Sequence, residues 1–394
     1  MKFTYYLKKS KPVVLLTVLF FVWSIITPSA VQAGAWNQVP GSQQSGGTSN
    51  PGASPSNPEN AQSPNQNPSC NADPVYTYSG EFFYECPDLM IPGRGMDVNI
   101  SHIYYSGLHY NGQFGYGWTI NYHYRLHVLE DNNVMIVSGN GRKDKYTYDS
   151  INDVYLPPPG FFQTLVENFD GTWTLTQAHG ERMIFNMNGT LAAMVDRNGN
   201  QITFAYDPAG LFPVTGVSPF TQTPGEKVTV GYDYRLAQIT DTVGRQVDFN
   251  YAVDGRLQSI VDYAGRTVTF NYDPLTDDLL SITKPATPQY PLGLTKIFTY
   301  DTKHNLTTIR DPKGQVFVTN HYDAQGRVDQ QTSAPGQFTF NYSVPNQVTV
   351  TDRKGFVKRY NFDANGNAPL ATNAEYSPRL NPAAYCGKIF WKLG

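Results

Sequence analysis

The sequence predicts an all-β protein, an opening β domain followed by stacked β-hairpin repeats that form a curved sheet or partial shell. Three observations carry this expectation. The 394-residue chain holds 27 Tyr and 22 Phe beside 34 Gly and 28 Pro, a mixture of pleat-filling aromatics and turn formers that suits short strands. Only 15% of its residues are charged, against about 25% in ordinary soluble domains, so amide and hydroxyl side chains carry the surface. Apolar and polar residues alternate in short runs, and no segment after Ile26 sustains a 3.6-residue apolar period. The same pattern argues against a helical bundle and a parallel α/β enzyme. A net charge of −3 provides no basic footprint for nucleic acid, and a mean hydropathy of −0.41 argues against a chain that crosses a membrane many times.

Residues 1–33 read as a signal peptide. Lys8, Lys9 and Lys11 precede an apolar run from Val13 to Ile26, and Val31 and Ala33 stand at −3 and −1 of a cleavage site. The run is shorter than the ~20 residues of a spanning helix; an uncleaved anchor is the alternative. The expected location is therefore secreted or cell surface, with the membrane involved only through the export signal. Residues 34–72 form a low-complexity linker. Between Gly41 and Ser69 there is no aromatic and no β-branched aliphatic residue, too little apolar area to offset the entropy of ordering.

Three cysteines remain, Cys70, Cys86 and Cys386. In an oxidising compartment Cys70 and Cys86 can pair and staple the start of the folded region to its first strand; two free thiols are the alternative. With no CxxC and no Cys/His cluster, the spacing carries no metal signature.

Residues 73–185 read as the opening β domain and 186–367 as repeats. Gly244 and Gly265 are 21 residues apart, as are Asp241 and Asp262, and Tyr251 and Tyr272. The turn pairs are Asp196 with Gly199, Asp241 with Gly244, Asp262 with Gly265, Asp311 with Gly314, and Asp323 with Gly326. An Asp can bond the backbone two residues on, and a Gly three residues later takes the positive-φ position that ends the turn. After Gly244, Val247, Phe249 and Tyr251 alternate with Gln246, Asp248 and Asn250, the mark of a half-buried strand. The copy after Gly314 is one residue out of register, which predicts a bulge or a longer turn. A period near 21 implies units that bury their apolar faces on one another.

The pattern at Tyr322-Asp323-Ala324-Gln325-Gly326-Arg327-Val328, and again at Asp254-Gly255-Arg256-Leu257, resembles the YD repeat of the RHS family. Asp73-Pro74-Val75, Ser79-Gly80-Glu81-Phe82, Asp88-Leu89, Ile91-Pro92-Gly93-Arg94-Gly95 and Phe114-Gly115-Tyr116-Gly117-Trp118 resemble the domain that opens many bacterial RHS proteins. Ser79, His102 and Tyr105 depart from that pattern. The resemblance covers roughly residues 73–366 and implies a shell wound from repeats around a cargo polypeptide. Residues 368–394 form an atypical tail without alternation or turn spacing, which reads as a truncated or frame-disrupted product; a short variable tail is the alternative.

No HExxH, GxSxG or Walker A sequence occurs, so no catalytic or cofactor-binding residue is assigned and no cofactor or enzyme activity is expected. His123 and His127 lie four apart, on one face if the segment is a strand, but lack a third metal ligand; the surrounding Tyr122, Tyr124 and Arg125 read as an ordinary amphipathic strand. The repeated Asp residues suit turns better than the paired carboxylates of a glycosidase. Arg245, Arg256, Arg266 and Arg327 read as caps on turn carbonyls or partners of a neighbouring repeat's Asp. Trp118 and Trp173 are candidates for stacking on sugar rings. The expected function is an exported structural scaffold of a polymorphic toxin system, with a toxin cargo as partner but no visible toxin domain. The alternative is a cell-surface module that binds a glycan or envelope component.

Overall fold

The computed structural model describes residues 75–216, 230–333, 336–362 and 376–377. The expected signal peptide, the linker, Cys70, Cys386 and most of the tail lie outside the described residues. Among the described residues every regular element is a strand.

The chain opens with a three-stranded antiparallel sheet, Phe83–Ile91 beside Val98–Tyr105 beside Trp118–Ile120. From Arg125–Val128 to Val357–Asn361 each strand then pairs antiparallel with the next in sequence, one uninterrupted run of hairpins. Tyr376–Ser377 adds a short rung to the last edge. The run curls on itself. Arg125 bridges to Thr190, and the short strand Tyr110–Gly112 pairs with the end of the long strand Gln201–Gly216. Among the described residues no pairing joins the Val357–Asn361 edge to the early strands, so the sheet is curved and open.

Alternation decides which face turns inward. On Gln246–Tyr251, Val247 and Phe249 are buried while Gln246, Asp248 and Asn250 are exposed. Val268 and Phe270, then Ile282, Phe298 and Ile309, continue the buried surface across later hairpins. They merge with Phe82, Tyr84, Tyr104, Phe114 and Trp118 of the opening segment into one core. The opening sheet therefore packs against the inner face of the repeats. Burying large side chains on both partners stabilises by roughly 1.5–3 kcal/mol for each, an upper bound because unfolded chains already hide some area.

One local reading changes and one holds. Tyr122 to Tyr124 do not form an amphipathic strand: a turn ends there, the next strand begins at Arg125, and both tyrosines are buried. The copy after Gly314 has its register shift between Ile309 and Arg310, opposite Val316. That shift turns Val316 outward and leaves Val318 and Asn320 inside.

Candidate functional site

The inner wall is organised around the Tyr of each repeat. In four successive hairpins the register shifts immediately before that Tyr, which then faces the first strand residue beyond the turn: Tyr251 opposite Leu257, Tyr272 opposite Leu279, Tyr300 opposite Leu306, Tyr322 opposite Val328. Such a bulge takes a residue out of the regular ladder and frees backbone groups. Those groups find two kinds of partner. The carbonyls accept hydroxyls from the tyrosines of the following strand: Tyr251 donates to Leu236 (2.9 Å), Tyr300 to Leu279 (2.7 Å), Tyr322 to Leu306 (3.0 Å) and Tyr342 to Val328 (2.8 Å). Three of the amides are taken by the opening segment. Leu257 donates to the Gln113 carbonyl (2.9 Å), Leu306 to the Tyr104 hydroxyl (3.0 Å) and Val328 to the Gly80 carbonyl (2.7 Å). Leu257, Leu306 and Val328 are fully buried, where an unpaired amide would cost about 1–3 kcal/mol.

The opening segment crosses the turns as a strap from Tyr110 to Trp118. Asn111 bonds the Asp277 carboxylate (2.8 Å), Arg256 reaches the Gly112 carbonyl (2.9 Å) and Trp118 donates to the Tyr300 hydroxyl (2.8 Å). Gly115 adopts φ +95°, and a Cβ there would stand 3.1 Å from the Tyr272 ring, so the backbone can lie this close to the repeat only without a side chain.

A buried polar knot ties the strap to the first long hairpin. Asp233 accepts from Arg125 Nε (2.9 Å) and Nη2 (2.5 Å), from the Tyr110 hydroxyl (3.0 Å) and from Gln113 (3.2 Å), and His123 Nε2 stands 2.7 Å from it. Burial alone would raise the Asp233 pKa, but the Arg125 charge and His123 outweigh it and hold the carboxyl well below the usual range. His123 is pushed down from its ordinary value, by burial first and by Arg125. Its Nδ1 lies 2.9 Å from the Thr119 hydroxyl, so Thr119, His123 and Asp233 have the connectivity of a hydroxyl, base and acid. All three are buried and the carboxylate is fully engaged, which suits a structural tie and gives a substrate no approach. A second buried pair, His102 with Asp88, lies under the Phe270 ring at 4.4 Å.

The turn residues lie at the rims. Asp241 Oδ1 accepts the amides of Val243 (3.0 Å) and Arg245 (2.8 Å), and Asp196, Asp262, Asp311 and Asp323 make the same two bonds in their turns. Gly199, Gly244, Gly265, Gly314 and Gly326 have φ between +76° and +86°. Three arginines fold back on their own turn Asp, Arg245 on Asp241 (2.6 Å), Arg266 on Asp262 (2.6 Å) and Arg327 on Asp323 (2.7 Å). The tight turn brings i and i+4 within reach, so the neighbouring repeat is not needed. Arg256 alone pairs onward, with Asp277 of the next hairpin (2.7 Å).

The other sequence candidates separate. Trp118 and Trp173 are buried and cannot stack on an external sugar. His123 and His127 do not form a metal pair: His123 is committed to Asp233, and among the described residues no group of three metal-ligating side chains occurs. Cys86 is disulfide-bonded; its partner lies outside the described residues, and Cys86 Sγ is 3.1 Å from Lys296 Nζ. What sequence reading missed is the Asp233 knot. Its members carry no shared spacing, and the one signal was an acidic residue at an inward position of a strand.

A curved hairpin wall whose bulges are capped by an opening segment defines a repeat scaffold. The chain carries RHS/YD-type repeats: residues 220–379 match the family described as Teneurin YD-shell, and residues 72–146 match the one described as Domain of unknown function (DUF6531). Among solved structures it is similar to TcdB2-TccC3, at 13% identity and a TM-score of 0.24 over 76% of this chain and 16% of that one. It is also similar to the Photorhabdus luminescens Tc holotoxin pore, at 11% identity and 0.18 over 77% and 22%. The chain thus spans less than a quarter of the length of the solved chains it matches. No curated protein is similar to it.

Proposed function

We propose that this protein is an exported scaffold whose repeats form part of a wall that encloses or presents a polypeptide cargo of the toxin class. The observation that supports this reading is the inner wall itself. Tyr251, Tyr300, Tyr322 and Tyr342 each tie their strand to the one before through a hydroxyl-to-carbonyl bond, a construction that extends a surface. Export rests on the basic, apolar and small-residue order of residues 1–33. The test is periplasmic fractionation of the full chain, followed by protease challenge of a reduced, unfolded reporter polypeptide mixed with it. Signal-dependent export and slower reporter digestion are expected. Cytoplasmic retention together with undiminished digestion would overturn the reading.

A second reading, surface glycan binding, draws on one feature. His321, Gln330, Thr339 and Thr351 are successive cross-strand neighbours along an open groove of about 680 Å³ that Asn341 and Thr349 also line. Gln330, Thr339 and Thr351 offer amide and hydroxyl groups beside the His321–Asp329 pair, a mixture that matches a polyhydroxylated ligand. Glycan-array binding lost in Thr339→Val would favour it, and a blank array would remove it.

A further inference from the structure

Four consecutive hairpins carry a left-handed residue in the turn that follows the repeat Tyr: Gly255 (φ +85°), Asp277 (φ +65°), His304 (φ +65°) and Gly326 (φ +79°). Glycine is the unstrained choice there, and the two outer turns use it. A Cβ at Gly255 would stand 2.7 Å from the Phe212 ring, and one at Gly326 would meet nothing within 4 Å. The two middle turns accept the backbone cost of a side chain. Both side chains touch the strap.

Asp277 bonds Asn111 (2.8 Å) and Arg256 (2.7 Å), and its carbonyl accepts the Tyr116 amide (3.3 Å). The His304 ring lies flat on the Tyr116 ring, 3.9 Å between centroids at 17°. Its Nδ1 is 2.9 Å from Asp278, and its carbonyl accepts the Tyr104 hydroxyl (3.0 Å). We propose that Asp277 and His304 are positioning residues: they replace turn glycines in order to seat the Tyr110–Trp118 strap in register across the middle repeats. The lost glycines mark the docking place along an otherwise repetitive wall, where neighbouring turns differ too little to define a unique position. This inference does not depend on what the scaffold holds.

The test is amide hydrogen exchange on the full chain with His304→Gly and Asp277→Gly, each of which relaxes its own turn. If the residues serve only the turn, exchange at Tyr116 and Gly117 stays the same or slows. Seating the strap predicts exchange there about tenfold faster, while the Asn305 amide, which is bonded to Asp301 within the turn, keeps its protection. A double variant with Tyr116→Ala separates the outcomes further. His304→Gly combined with Tyr116→Ala should be no worse than Tyr116→Ala alone, whereas Tyr116→Phe, which keeps the stacked ring, should retain wild-type protection. Unchanged strap exchange in both glycine variants, or fully additive effects of His304→Gly and Tyr116→Ala, would overturn the proposal.

Discussion

Tyr300 donates its hydroxyl to the carbonyl of Leu279, 2.7 Å away on the preceding strand, and accepts the indole N–H of Trp118 in the same step. One phenol therefore joins two hairpins to each other and to the opening segment. The motif Tyr acts here as a connector, which its place beside a bulge makes necessary: the Leu279 carbonyl has left the regular ladder and needs a donor.

Tyr300→Phe should destabilise by about 2 kcal/mol, because it strands a buried carbonyl and a buried indole N–H at once. Tyr322→Phe should cost less, about 1 kcal/mol, since Leu306 keeps a second donor in Asn320 at 3.0 Å. Urea unfolding of the two variants measures the order, and a reversed order would contradict the connector role.

Asp233→Ala should be among the most damaging single changes, by about 3–5 kcal/mol, because it leaves Arg125 buried and uncompensated. Pairing it with Arg125→Met should recover part of the loss. The comparison is made from denaturant midpoints; a double variant as unstable as Asp233→Ala alone would mean that the knot matters through shape and not charge.

Stability should fall as pH drops from about 6.5 toward 4. His127 is held down to about 4, by burial first and by the Arg125 charge. An imidazole whose folded pKa is depressed binds its proton more readily in the unfolded chain, so it adds a penalty that is absent above the unfolded value and grows as pH falls toward the folded one. His127→Gln should flatten that part of the profile. Thermal unfolding across the window checks it, and an unchanged slope would assign the loss elsewhere.

Gly244→Val should destabilise by about 1–3 kcal/mol through backbone strain alone, since a Cβ there meets nothing within 4 Å. Gln246→Val, at an exposed strand position, serves as the control. Equal stability of the two variants in urea would remove the turn role of this glycine.

Much of the fold was legible because it is local. The parity of Val247 and Phe249, and of Val268 and Phe270, already separates inner from outer face. The Asp and Gly of each turn are three residues apart, a distance over which side-chain and backbone geometry act without the rest of the molecule. The inner site was not legible in this way. Gln113 and Leu257, or Tyr104 and Leu306, meet only after the wall has curled, and nothing in their own neighbourhoods announces the partner. His304 occupies a glycine's place in plain sight, yet its role appears only when Tyr116 is found lying on it.

The Tyr104 hydroxyl waits for the Leu306 amide across 202 residues of chain. A polypeptide that emerges amino end first presents its opening segment long before the strands that complete it. Contacts of such long span form slowly, because loop closure must come before any gain from burial. In that interval Tyr84, Tyr104 and Trp118, all buried in the finished protein, face solvent or a helper. Maturation should therefore be limited by arrival of the later repeats, and a pulse-labelled nascent chain should pass from protease-sensitive to resistant in one late step.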